Sequence, residues 1–274
     1  MQEGKVLKTE LPVQEENQPF TSQRLPSNIV KLPSKGVLYD EKNPLSQGFV
    51  EMKFMTAKEE NILTTESYIR ENTVIDKFLQ SMIISPKFNY DSLLIGDKDS
   101  LLLASRVYGY GEIYTIEVTA PSGNKQKVDI NLEELPCKDV PETVAANMNQ
   151  NSFHYVFENR LGKYDIEFKL LTVGDQKAID SKLKKKVAGR EDTRITTALE
   201  QAILSVNGNS DPNFIKLFLQ NDFLAKDSRA FREYIASLTP GPNLEVELVD
   251  EATGLPFRDK ITIGMDFFWP DSGV

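Results

Sequence analysis

The residues best suited to chemistry in this chain are single ones. There is one histidine, His154, and one cysteine, Cys137. Acyl-transfer chemistry needs a base within hydrogen-bond reach of a nucleophile, and a third group to orient that base. Neither residue stands in a motif that supplies such partners, so His154 reads as structural or exposed. A lone cysteine also excludes an internal disulfide and a cysteine-based zinc knuckle, and it fits a reducing compartment.

Carboxylates are the next candidates. Glu59 and Glu60 are neighbours on an expected helix, where side chains point about 100° apart and do not converge on one substrate. Asp97 and Asp99 follow Gly96, which invites a calcium loop, but the further oxygen ligands and the closing glutamate are absent. They read instead as caps for a helix over 100–108. Lys35 precedes Gly36, whereas a phosphate loop needs Gly, four residues, then Gly-Lys-Ser/Thr. No dinucleotide fingerprint or metal-ligand cluster is present. The residues therefore predict no catalytic residue, no metal and no cofactor. An acidic chain always offers carboxylate pairs, so an enzyme stays open as the lesser reading.

The formal charge of −9 suits a phosphate backbone poorly. A basic run, Lys182, Lys184, Lys185 and Lys186, reads as a solvated helix face or as the complement of an acidic partner patch. No window of about eighteen apolar residues marks a membrane span, and the first residues lack the apolar core of a secretory signal. Neither nucleic acid nor membrane is expected as a partner.

The elements that must position these residues recur. Phe49–Phe54 alternates as a strand. Thr56 and Glu59 then have the spacing of a capping box, opening a helix over about 57–64. A second helix follows over 73–84, stopped by Pro86, with Val74, Ile75, Phe78, Leu79, Met82 and Ile83 on one apolar face. After the 100–108 helix comes a hairpin over 113–119 and 126–132. Residues 164–170 begin the same order again. Thr172 and Asp175 take the capping positions, a helix spans 195–206, Asp227–Ile235 matches Asp99–Val107, and a hairpin spans 244–249 and 258–265. The predicted fold is α+β: two related modules arising by internal duplication, each with helices packed on a small antiparallel sheet. The expected boundaries are an N-terminal arm over 1–30, a first module over 31–135, a linker over 136–160 carrying a strand near 153–157, and a second module over 161–274. The arm is either disordered alone or ordered on a partner. The aromatic end, Phe267, Phe268 and Trp269, either folds back on its own domain or docks on another chain. Phe20, Leu25, Phe267, Phe268 and Trp269 are the candidate partner-binding residues.

Several runs together resemble a known family: LPSKGVLY, GFVEMKFMTAKEE, ENTVIDKFLQSMI, IGDKDSLLLASRVYGYG, FLAKDSRAFREYI and FFWPD. In this order, over residues 28–271, they resemble the baseplate hub assembly proteins of T-even-type contractile-tailed bacteriophages. The resemblance implies a non-enzymatic component of a multi-subunit tail baseplate, contacting other hub proteins. It would be found in the virion, and in the host cytoplasm during assembly. The alternative is a transient tail assembly chaperone absent from the virion. The family's hairpin-turn cysteines are replaced here by Ala120–Lys125, so a zinc knuckle is not carried over.

Overall fold

The computed structural model describes residues 27–84, 88–138, 140–146, 148, 150–184 and 193–268. The chain opens with β1 (Ser27–Lys31), antiparallel to β2 (Phe49–Lys53), so residues 27–30 of the expected arm belong to a sheet. Residues 1–26 of that arm lie outside the described residues. Three helices follow: α1 (Ala57–Leu63), α2 (Glu66–Glu71) and α3 (Val74–Met82). Then come α4 (Ile95–Tyr110) and the hairpin of β3 (Ile113–Thr119) and β4 (Lys125–Asn131). A short β5 (Cys137–Lys138) and α5 (Glu142–Ala146) cross to the second half.

There, β6 (Phe153–Asn159) and β7 (Gly162–Phe168) pair along their whole length, so the strand expected in the linker belongs to a sheet. Next come α6 (Val173–Lys184), α7 (Arg194–Ala202), β8 (Ile203–Val206), α8 (Pro212–Asn221) and α9 (Ala225–Leu238). Two-residue β9 (Gly241–Pro242) pairs with β5, and β10 (Glu245–Val249) with β11 (Pro256–Lys260) closes the chain. The fold is mixed α+β, built from helices and small antiparallel sheets.

Four expectations need correction. The helix expected over 195–206 ends at Ala202, because Ile203, Ser205 and Val206 pair with β7 instead. The helix expected to reach Ile84 ends at Met82 for the same reason: Ile83 bridges to Met52, and Ile84 N donates to Glu51 O at 2.9 Å. Apolar β-branched residues fit a helical stripe and a strand alike, and a neighbouring strand edge decides between them. The return strand expected over 258–265 is Pro256–Lys260. Finally, α4 starts at Ile95, so Asp97 lies inside its first turn and is not its cap.

Both halves place a lysine at the end of a strand, Lys53 as the last residue of β2 and Lys169 just past β7, with a threonine three residues on and an acid three further. Lys53 Nζ lies 2.6 Å from Glu59 Oε1, and Thr56 donates its backbone N and its hydroxyl to Glu59 Oε2 at 3.1 and 2.6 Å. Lys169 Nζ lies 2.7 Å from Asp175 Oδ1, and Thr172 donates likewise to Asp175 Oδ2, both at 3.0 Å. In each half the acid satisfies the helix N-terminus while its cation sits at the end of the preceding strand.

The two halves share one connected core running from Val30 to Phe268. At one point α4 closely approaches the backbone leading into β9. A Cβ on Gly96 would stand 1.9 Å from Pro240 O, so only glycine allows that contact. The backbone also crosses the seam at Val173 N to Leu93 O, 2.8 Å, and at Ile95 N to Leu171 O, 3.2 Å.

Candidate functional site

The LPSKGVLY segment is the most constrained turn in the first half. Lys35 and Gly36 both take positive φ, 52° and 80°, and Val37 N bonds back to Ser34 O at 3.2 Å. A left-handed lysine carries backbone strain and persists only where surroundings enforce it. Asp97 does the enforcing. Its carboxylate, fully buried, accepts from Ser34 N at 2.9 Å, Ser34 Oγ at 2.6 Å and the Tyr39 hydroxyl at 2.5 Å. Tyr39 Oη in turn accepts from Leu94 N at 3.0 Å. Burial pushes the Asp97 carboxyl above the ordinary range, against the pull of its Ser34 and Tyr39 donors. Burial and the neighbouring Asp97 carboxyl push the Tyr39 phenol well up, so it keeps its proton and donates it.

The turn held this way forms one wall of an open groove of about 630 Å³. The edge of β1 contributes Ile29, which is 60% exposed, and Lys31, while β2 contributes the half-exposed Phe49. Cys137, Lys138 and Val140 also line it. All the charged residues among those described in the lining are lysines: Lys31, Lys35 and Lys138. β2 is the one strand partner of β1 among the described residues.

A second polar cluster spans the seam. Asp76 on α3 accepts from Lys98 on α4 at 2.7 Å and from the Tyr90 hydroxyl at 3.1 Å, and Lys177 on α6 approaches it at 3.5 Å. Lys177 also reaches Asp91 at 2.6 Å. Burial pushes the Asp76 carboxyl up, but Lys98, Lys177 and Tyr90 outweigh it and hold it below its usual value. Nearby, burial pushes Asp99 up to about 6. The hairpin tips meet as well. Asp250 accepts from Ser122 N and Oγ at 3.1 and 3.0 Å, and Gln126 Nε2 donates to Val249 O at 2.8 Å.

The structure separates the residues singled out from sequence. Phe267 and Phe268 are fully buried in their own chain, against Tyr114 at 4.9 Å and Phe78 at 4.8 Å between ring centroids. Arg106 Nε fixes the segment by donating to Phe267 O at 3.0 Å. As residues of the second half, they complete the core of the first. Phe20, Leu25 and Trp269 lie outside the described residues, as do Lys185 and Lys186. Lys182 and Lys184 are exposed at the end of α6. His154 is exposed on β6, with Nδ1 2.9 Å from Asp165 Oδ1, and Cys137 is exposed at the groove. Glu59 is spent on its capping box and on Lys53. Among the described residues no group of three or more His, Cys, Asp or Glu is placed to hold a metal ion, and no helix is long and apolar enough to cross a membrane. The groove was missed in sequence because its wall comes from a strand edge inside the expected arm. The Asp97 network was missed because aspartate before a helix reads first as a cap.

Compared with known proteins, residues 29–210 match the family described as T4 bacteriophage base plate protein. No curated protein and no solved structure matches the chain.

Proposed function

Because this chain belongs to the family of T4 bacteriophage base plate proteins, we propose that it is a non-enzymatic component of the tail baseplate hub, working through protein–protein contacts. The family match over residues 29–210 carries this reading. The polar interior agrees with it. Asp97, Asp76, Glu59 and Asp175 are each engaged in holding turns, helix ends or the seam in place. The hydroxyls of Ser34, Thr56 and Thr172 are donors within these same braces. A protein whose product is contact surface needs such internal bracing, and its own acidic charge keeps it soluble before assembly.

Assembly would take place in the host cytoplasm, with other baseplate hub proteins as partners and the virion tail as destination. The matched Lys-Thr-acid sets, each followed by a helix that gives way to a strand edge, are the sign of an internal duplication. Phe20, Leu25 and Trp269 remain the proposed partner contacts of the two chain ends, whereas Phe267 and Phe268 serve the chain's own core.

Mass spectrometry of purified particles and of isolated baseplates tests the reading. The chain is expected at stoichiometric level in both. Its presence only in infected-cell extracts would make it a transient assembly chaperone instead.

A further inference from the structure

We propose that the lysine-lined groove beside β1 is a docking site for an extended, acidic and apolar segment of a neighbouring baseplate protein, which adds to the sheet as a strand along the open edge of β1. This rests on the reading of the chain as a contact-forming baseplate component, and adds the place and chemistry of one contact.

Three observations converge on it. β1 is bonded to β2 on one side only among the described residues, and an open strand edge presents main-chain donors and acceptors in register for another strand. The edge is not blunted by charge at its centre. Ile29 is 60% exposed there, and its N–H is held at 2.8 Å by the side chain of Asn28, a weak local substitute for a strand partner. The third observation is electrostatic. The chain carries a formal charge of −9, yet the described lining brings together Lys31, Lys35 and Lys138 with no acidic residue. Among the described residues no carboxylate pairs with any of the three, and the Lys138 ammonium donates to a backbone carbonyl, Ala236 O, at 3.3 Å. A local cationic patch on an acidic protein selects an anionic segment.

The turn supplies the pre-organisation. Lys35 is fixed in a left-handed conformation by the Asp97–Ser34 anchor, so its position at the groove wall is set before any partner arrives. Acidic side chains alternating with apolar ones match the site. In a strand successive side chains point to opposite faces: Ile29, Lys31 and its pair Phe49 share one face, so the acidic set of an added strand reaches Lys31 there while its apolar set continues the face of Val30.

The test uses the full chain and a fluorescein-labelled dodecapeptide of alternating Glu and Val, followed by anisotropy. Saturable binding is expected, weakened at least tenfold in Lys31→Glu/Lys35→Glu and, as an independently folding check, in Lys138→Glu. Reversing the distant Lys216 and Lys226 is expected to leave binding unchanged, and a Lys-Val peptide is expected not to bind. Failure of the Glu-Val peptide to saturate, or equal binding by the charge-reversed groove variants, would overturn the proposal. So would a large gain in affinity on deleting residues 1–26, which would give the groove to the chain's own N-terminal segment. These outcomes are read on isolated protein, so they are independent of whether the chain is found in purified baseplates.

Discussion

Ser34 Oγ donates to Asp97 Oδ2 at 2.6 Å, joining residues 63 apart in sequence across a fully buried site. The same carboxylate also accepts from Ser34 N and from Tyr39, so one side chain fixes the strained turn, the first turn of α4 and a tyrosine. Removing it leaves three buried donors without an acceptor. Asp97→Ala is expected to cost about 3 kcal/mol or more, since each orphaned buried polar group costs about 1–3 kcal/mol. Asp97→Asn keeps the shape and part of the acceptor capacity and is expected to cost less. Denaturant titration checks both. A loss under 1 kcal/mol in the alanine variant would mean that the turn is held by other contacts.

Glu59 and Asp175 predict the acid limb of the stability profile. Burial pushes each carboxyl up, but the lysine beside it and the threonine donors bring it below the ordinary values of 4.5 and 3.8. The unfolded chain then binds protons more readily than the folded one. The stability these groups contribute is fully present above those ordinary values and is lost as pH falls through the lowered folded values. Melting temperature is expected to hold between pH 7 and about 5 and to fall below about 4.5. Glu59→Gln is expected to flatten part of that fall and to cost about 3 kcal/mol at neutral pH by stranding Lys53. An unchanged acid profile in that variant would remove Glu59 from the account.

Asp99 predicts the opposite sign. Burial raises it from 3.8 to about 6, so the folded chain holds this proton more tightly than the unfolded chain does. The advantage of the protonated form is full below the unfolded value and disappears as pH rises through about 6, leaving a half-buried carboxylate that disfavours folding at neutral pH. Asp99→Asn is expected to raise stability at pH 8 by about 1–3 kcal/mol and to have little effect at pH 4. Thermal melts at the two pH values read the difference, and equal effects at both would contradict it.

Much of the order of elements was legible in sequence, because capping boxes and apolar stripes are local signals. Thr56 with Glu59 and Thr172 with Asp175 stand as the spacing predicts. The 113–119 strand of the first hairpin is where alternation places it. What was not legible depended on partners distant in the chain. Ile83 and Ile203 fit a helical face, and only the strand edges of β2 and β7 turn them into strand. The helix α8 carried a local signal that went unused, Asp211 capping with Pro212 at the first position. The groove was invisible for a different reason: Lys138 stands more than a hundred residues from Lys31 and Lys35, and only the tertiary fold brings β5 beside them.

Gly96 is a further test of the seam between the halves. A Cβ there would meet Pro240 O at 1.9 Å, and the obstacle is backbone, which cannot rotate away. Gly96→Ala is expected to destabilise by about 2 kcal/mol or more through overpacking, although alanine is the better helix former. Gly264→Ala, in a bend with nothing within 4 Å, is the open-space control and is expected to be nearly neutral. Calorimetry on both compares an obstructed methyl group with an unobstructed one, and a neutral Gly96→Ala would show that α4 and β9 slide apart at little cost.

The aromatic pair at the end of the described chain decides whether the halves unfold together. Phe268 packs on Phe78 of α3 and Phe267 on Tyr114 of β3, while Arg106 holds the Phe267 carbonyl. Residues from the second half thus fill the part of the shared core that lies in the first. A single cooperative transition is expected for the intact chain. Phe268→Ala should cost about 3–5 kcal/mol, the usual loss for a fully buried phenylalanine, and should broaden or split the transition as the halves uncouple. The alternative use of these rings, as contacts to another protein, predicts the reverse: an unchanged melt of the isolated chain and weakened assembly. Scanning calorimetry on the variant chooses between them, because a core residue reports in the isolated chain and a contact residue reports only in the complex.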